Sequence, residues 1–393
     1  MKRLIAAGTA AVLMATATQA EDIKLGVIYG FTGPIESLTG PMAAGAELAM
    51  KEVSDSGLLL GGSTVSSVRA DSTCIDSAAA TAAAERLVTS DKVNAIVGAD
   101  CSGVTSAVLQ NVARANGTVM ISPSATSPGL STADDDGLFF RTAPSDAREG
   151  QVMTDILVEM GIKSVAVTYT NNDYGKGLSD SFISAFEDAG GKITVNISHE
   201  DGKADYSSEI ATLASAGGDI LVIAGYLDQG GRAIIDGSLD TGAWDRFVLP
   251  GGMIGDNILS IGDGLNGSFG QVAGTDSPGA AIFSDIAKAA GFDGTSPFTP
   301  ESYDAAALIL LAMQAAGSSD SSKLKDKVFD VANAPGEKIF PGELAKALQI
   351  LKDGGEVDYV GASAVELIGN GESAGNYRQV LVKDGAFETV RYR

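Results

Sequence analysis

Lys24–Tyr29 reads KLGVIY, and runs of the same kind return at Asn94–Gly98 (NAIVG), Ser164–Tyr169 (SVAVTY) and Asp219–Ala224 (DILVIA). Each is short, apolar and rich in β-branched residues, without an alternating polar face, which is the pattern of a strand buried on both sides. Outward from KLGVIY, a Gly-Pro turn leads to a predicted helix over Pro41–Ser54, a strand over Thr64–Ala70 and an alanine-rich helix over Ser77–Thr89. The NAIVG strand follows, then a helix over Gly103–Asn116 and a strand over Val119–Ser122. Past Arg141 the rhythm restarts: helix Gln151–Met160, strand SVAVTY, helix Gly177–Ala189, strand Lys192–Ile197, helix Tyr206–Ala216, strand DILVIA, helix Gly231–Ser238 and strand Phe247–Leu249. Strands separated by helices of about 10–15 residues predict parallel sheets with crossovers, and the restart predicts two doubly wound α/β lobes. Further helices are expected over Thr299–Ala316, Lys323–Ala332 and Gly342–Lys352, and terminal strands over Tyr359–Leu367 and Arg378–Lys383.

The amino terminus reads differently. Met1-Lys2-Arg3 is positive, Leu4–Ala17 is apolar, and Thr18-Gln19-Ala20 offers small residues to a signal peptidase. The apolar run, roughly 14 residues, is too short to span a hydrocarbon core of about 30 Å. A signal peptide over residues 1–20 and an exported, periplasmic mature chain from Glu21 are therefore expected. No cysteine lies in the leader to carry a lipid anchor. Cleavage removes two of the 27 basic residues and no acid, leaving 25 against 50 and a net charge of −25. Such a surface repels nucleic acid and anionic lipid and suits a monomer. The mature length of about 370 residues exceeds one ordinary core, in keeping with two lobes.

Cys74 and Cys101 are the only cysteines, and an even pair in an exported chain reads as a structural disulfide. His199 is the only histidine, which argues against a His-based triad or a zinc site. No G-x-G-x-x-G follows a strand and no Gly-Lys-Ser/Thr occurs, so neither a nucleotide cofactor nor a metal is expected. Exported, doubly wound and without a cofactor motif, the chain reads as a binder rather than an enzyme.

Ligands in open α/β sheets sit beyond the carboxyl ends of the strands. The loops there are rich in Gly, Ser, Thr and Tyr. After NAIVG, Ser102 stands at a helix start, where free amides and the dipole favour an anion, although a plain N-cap gives the same signal. Ser124, Ala125 and Thr126 follow the Val119–Ser122 strand in a proline-stiffened loop, readable also as a polar turn. Tyr174 and Tyr226 each follow a second-half strand, and a tyrosine there walls a small ligand or simply packs.

Taken in order, DSTCID, VGADCSG, MISPSAT, NDYGKG and AGY, with LGVIYGFTGP before and PESYDAA after, resemble the leucine/isoleucine/valine-binding family of type I periplasmic solute-binding proteins of ABC importers. The likeness runs over nearly all of the mature chain. The resemblance implies two lobes joined by three crossings, 21–144 plus 275–356 and 145–274 plus 357–393, closing on ligand like a jaw. Crossings are expected near Thr142–Asp146, Val272–Ser277 and Val357–Ala362. It also implies a Cys74–Cys101 bridge, a ligand carboxylate held by Ser102, Thr126 and the backbone of Ser124 and Ala125, and closure by Tyr174 and Tyr226. The implied partners are a small carboxylate, an amino acid by family habit, and an inner-membrane ABC permease.

Two departures from the family pattern stand out. The family's acid for the ligand ammonium is expected in the loop after Phe247–Leu249, where Gly252 and Met253 stand instead. Either another acid, such as Asp228, Asp256 or Glu36, takes over, or the ligand is a keto, hydroxy or aromatic acid without an ammonium. Leu38 replaces an aromatic residue on the first-lobe side, which makes the site more aliphatic.

Overall fold

A computed structural model describes residues 20–393, so the predicted leader lies outside the described residues apart from Ala20. The first sheet is built from β1 (Asp22–Tyr29), β2 (Thr64–Asp71), β3 (Ala95–Gly98), β4 (Met120–Ser122) and β5 (Phe139–Pro144). The second uses β6 (Ser164–Thr170), β7 (Lys192–His199), β8 (Ile220–Ala224), β9 (Phe247–Leu249) and β10 (Phe269–Ala273). β11 (Glu337–Ile339) and β12 (Val357–Tyr359) form a separate two-stranded sheet, while late strands complete the two large ones: β13 (Leu367–Ile368) and β14 (Glu372–Ser373) join the first, and β15 (Tyr377–Lys383) and β16 (Ala386–Tyr392) the second. The strand orders are β13-β14-β5-β4-β3-β1-β2 and β16-β15-β10-β9-β8-β6-β7. Apart from their last pairs the two sheets repeat one order. The chain steps to one side after β1 and after β6 and to the other afterwards, which puts a switch point between β1 and β3 and another between β6 and β8.

The apolar runs behave as their sequence demands. Ile23, Leu25, Val27 and Ile28 of β1 and Ile220 to Ile223 of β8 are fully buried beneath helices on both faces. The Thr299–Ala316 helix is apolar all round, and Tyr303 through Met313 are fully buried between the first sheet and the Glu36–Ser56 helix.

β5 and β10 have no counterpart among the strands read from sequence. Each carries a polar residue, Arg141 and Gln271, that breaks the apolar run, yet both are buried. The expected third crossing is also displaced. Tyr359–Leu367 is not one strand: after β12 the backbone turns at Gly361 (φ 62°), and the buried Asp304 accepts the amides of Ala362 (2.8 Å) and Ser363 (2.7 Å). A segment so pinned stays with the first lobe, and 367–373 extends the first sheet through β14 against β5. The chain passes to the second sheet only between Ser373 and Tyr377, so residues 357–373 pack with the first lobe and not the second. The other passages run from Pro144 into the Asp146–Glu159 helix and from Ala273 into the Pro278–Ala290 helix.

Candidate ligand-binding cleft

The two switch points face each other across a closed cleft. Its walls come from both lobes and from residues beside the passages between them. On the first-lobe side, Asp100 organises three loops. Its carboxylate accepts from Gly30 N (2.6 Å), Ser72 Oγ (2.9 Å) and Cys101 N (3.0 Å), tying the ends of β1, β2 and β3 together. Burial pushes this carboxyl above its ordinary range, against the pull of those donors. Cys74 and Cys101 are joined in the disulfide beside it, with Cα atoms 5.2 Å apart.

Ser102 is the first residue of its helix, and Cys101 precedes it in extended conformation without a side-chain cap. The Ser102 hydroxyl accepts from Ser127 N (3.1 Å) rather than from its own helix, which leaves its proton for an acceptor in the cleft. Thr126 and Ser124 stand beside it on the same wall. Ala125 does not reach the cleft. Its amide donates to Ser122 Oγ (2.9 Å), its carbonyl accepts from Arg141 Nη1 (3.0 Å), and its side chain is fully buried. Ser124 N likewise turns to Ser122 Oγ (3.3 Å), so the backbone expected to hold a carboxylate is spent on shaping the loop.

The opposite wall is aromatic. Asn172 caps the Asp173–Asp188 helix by accepting from Tyr174 N (3.0 Å) and Gly175 N (3.1 Å), which fixes Tyr174 at the cleft. Its ring stacks on Tyr226, centroids 5.1 Å apart and planes at 19°, and its hydroxyl accepts from Gly252 N (3.1 Å). Gly252 lines the cleft because nothing larger fits: a Cβ there would lie 2.6 Å from Gly225 O and 2.8 Å from Tyr174 Oη. Met253 is buried behind this loop, its sulfur packed toward Gly231, and does not line the cleft. Ile35, Leu38 and Phe298 give the remaining wall its aliphatic and aromatic lining.

None of the three acids named from sequence lines the cleft. Asp228 sits at the rim as a clasp between lobes, accepting from Ser37 N (2.9 Å), Ser37 Oγ (2.9 Å) and Asn257 Nδ2. Glu36 and Asp256 are exposed on the outer groove. Besides Asp100, which is spent on the first-lobe loops, the acid that lines the cleft is Glu149, in the first turn of the Asp146–Glu159 helix and 2% exposed. Its Oε1 accepts from Gly251 N (2.9 Å) and from Gln271 Nε2 (2.8 Å). Burial pushes its carboxyl up, with those donors opposing. Sequence reading missed it because the partners that aim it come from β10 and from the loop after β9, far off in the chain. The one local hint is an acid behind Ser145, which caps the helix by accepting from Ala147 N (3.3 Å).

The cleft therefore brings hydroxyl donors and a carboxylate together in one space that is otherwise lined by rings and aliphatic side chains. His199 stands apart, buried at the end of β7 with Nδ1 2.8 Å from Thr168 Oγ1. Among the described residues no helix is long and apolar enough to cross a membrane.

Comparison with known proteins agrees with this architecture. The family model described as periplasmic binding protein matches residues 22–337. Leu/Ile/Val-binding protein homolog 3 of Brucella melitensis biotype 1 is 31% identical over 307 residues, 77% of this chain and 81% of the relative. The leucine-, isoleucine-, valine-, threonine-, and alanine-binding protein of Pseudomonas aeruginosa is 28% identical over 330 residues, 83% and 87% of the two chains. In fold, the chain matches the crystal structure of the leucine-binding protein LivK from Thermotoga maritima MSB8 with a TM-score of 0.79, at 23% identity, covering 94% of this chain and 98% of that one. With a family model over most of its length and relatives of this identity and coverage, the chain belongs to the periplasmic binding protein family, in its type I Leu/Ile/Val-binding branch.

Proposed function

We propose that this protein is the periplasmic substrate-binding component of an ABC importer, that it captures a small α-amino acid of the branched-chain or aliphatic type, and that it passes it to an inner-membrane permease. The observation that carries this reading is the polarity of the cleft. Ser102 at a helix start and Thr126 beside it present donors to a carboxylate, Glu149 presents an acceptor to an ammonium, and apolar residues line the space left for a side chain. A zwitterion matches both ends. The relatives that bind leucine and its kin support the same ligand class. Closure is part of the mechanism: Asp228 joins Ser37, and Ser106 Oγ donates to Asp173 Oδ2 (3.1 Å), across the two lobes. An open form breaks these bonds, and bound ligand favours the closed one by contacting both walls.

Thermal shifts with matched acids test the reading. At a thousand times its Kd a ligand adds about 4 kcal/mol, a plain rise in Tm. Leucine should stabilise the mature protein and its 2-keto acid should do so less. Stabilisation by nitrogen-free acids alone, such as the keto acid or a phenyl carboxylate, makes this a receptor for carboxylates without an ammonium. The absence of any response, with the protein folded, removes the proposal.

A further inference from the structure

Glu149 is one half of a pair. Asp146, one helical turn earlier on the same face, is fully buried, and neither of its carboxylate oxygens has a geometrically sound hydrogen bond, although Thr126 and Glu149 lie beside it. Helix capping does not account for it, since Ser145 holds that position. Among the described residues no cation bonds to the pair, although the charge of Arg141 acts on Asp146 against the effect of burial. Arg141, the nearest, spends Nη1 on Ala125 O (3.0 Å) and Ser127 O (2.9 Å), and Nη2 on Ser131 Oγ (2.6 Å) and Glu372 (2.6 Å). The other titratable groups facing the pair are Tyr174 and Tyr226 from the second lobe and Tyr377 on β15, while Arg148 on the same helix is exposed. All three tyrosines are neutral at physiological pH, burial and these acids holding their hydroxyls protonated. Gln271 and Gly251 N, the donors on Glu149, are uncharged.

Two adjoining buried carboxyls without a cation bonded to either cannot both ionise at ordinary cost. Burial and the neighbouring Glu149 drive the Asp146 carboxyl well above its usual range, in line with that rule. We infer that Asp146 and Glu149 hold one proton between them in the ligand-free protein, and that the ammonium group of a bound amino acid, docked on Glu149, takes its place. The inference rests on the amino-acid reading above. The balance is simple: one ammonium enters, and one proton leaves to solvent. The hinge helix thus supplies the ammonium site that the Gly251–Met253 loop lacks. An acid without nitrogen brings no charge to exchange, and the proton stays.

Calorimetric titration of the full mature protein near pH 7, in phosphate and in Tris, reads the exchange directly. Leucine binding should release up to one proton, seen as a buffer-dependent enthalpy, while its 2-keto acid should show none. Glu149→Gln should weaken leucine at least tenfold and leave the keto acid within about threefold. Asp146→Asn, still binding leucine, should lose the proton release. Leucine binding with a buffer-independent enthalpy overturns the inference and leaves the amino-acid reading standing, and this arm needs no variant to fold. Equal weakening of both acids by Glu149→Gln also overturns it, by making Glu149 structural. Binding of neither acid by the parent protein overturns the amino-acid reading, and the inference with it.

Discussion

The two walls of the cleft are built by different means. The first-lobe wall is local: Ser102 and Thr126 follow β3 and β4 directly, and Asp100 and the disulfide bind neighbouring loops to one another. The second wall is assembled from distant parts, with Glu149 aimed by Gln271 of β10 and by Gly251 after β9, and Tyr174 bonded to Gly252. The anion end thus follows from any strand that ends at a helix start, and the cation end depends on several elements meeting. A change of ligand class within such a fold is easier to make on the second wall.

Breaking the local scaffold should cost most in stability and least in recognition. Cys74→Ser should lower stability by about 2–4 kcal/mol, because the bridge closes a loop across 27 positions, and a folded variant should still bind. Differential scanning calorimetry beside a titration checks this, and loss of binding in the folded variant would place the bridge within the recognition wall. On the assembled wall a single methyl should be felt in affinity. Gly252→Ala drives a Cβ into Gly225 O and Tyr174, and overpacking of the closed form by about 1–3 kcal/mol implies weakening of roughly 5- to 150-fold. Unchanged affinity would show that this wall yields. Thr126→Val, which keeps the shape of the first wall and removes its hydroxyl, should weaken leucine roughly tenfold with little change in Tm.

The hinge side gives a smaller, pH-dependent effect. Glu301 is buried near the start of the Thr299–Ala316 helix, and burial pushes its carboxyl up to about 8. With a folded value above the unfolded one, the stability it contributes is full below about pH 4.5 and is lost as pH rises to about 8. Between pH 5 and 8 the Tm of the parent should fall more than that of Glu301→Gln. Parallel Tm curves would mean that Glu301 is ionised throughout.

The same contrast explains what could be read in the sequence. β1, β3, β6 and β8 are plain in it because parallel strands buried on both faces are unbroken apolar runs, and their order points to the loops at the switch points. Ser102, Thr126, Tyr174 and Tyr226 were legible for that reason. β5 and β10 were not, since Arg141 and Gln271 interrupt them, yet these residues hold the Ala125–Ser127 loop and Glu149 in place. The family resemblance places Ala125 and Met253 in the cleft, and hydrogen bonding and packing turn both away. The third passage was misread because a buried carboxylate, Asp304, pins Ala362 and Ser363 to the first lobe from a helix about sixty residues earlier. Polar residues inside the core carry the long-range information, and a reading of apolar periodicity passes over them.

The central claim is the orientation of a zwitterion between two unlike walls, and a crystal structure of the mature protein with leucine tests it most directly. The carboxylate is predicted against Ser102 and Thr126 and the ammonium within hydrogen-bond distance of Glu149, beneath the stacked Tyr174 and Tyr226. An ammonium held by Asp228 or Asp256 at the rim, or a carboxylate turned toward the hinge helix, would contradict the account.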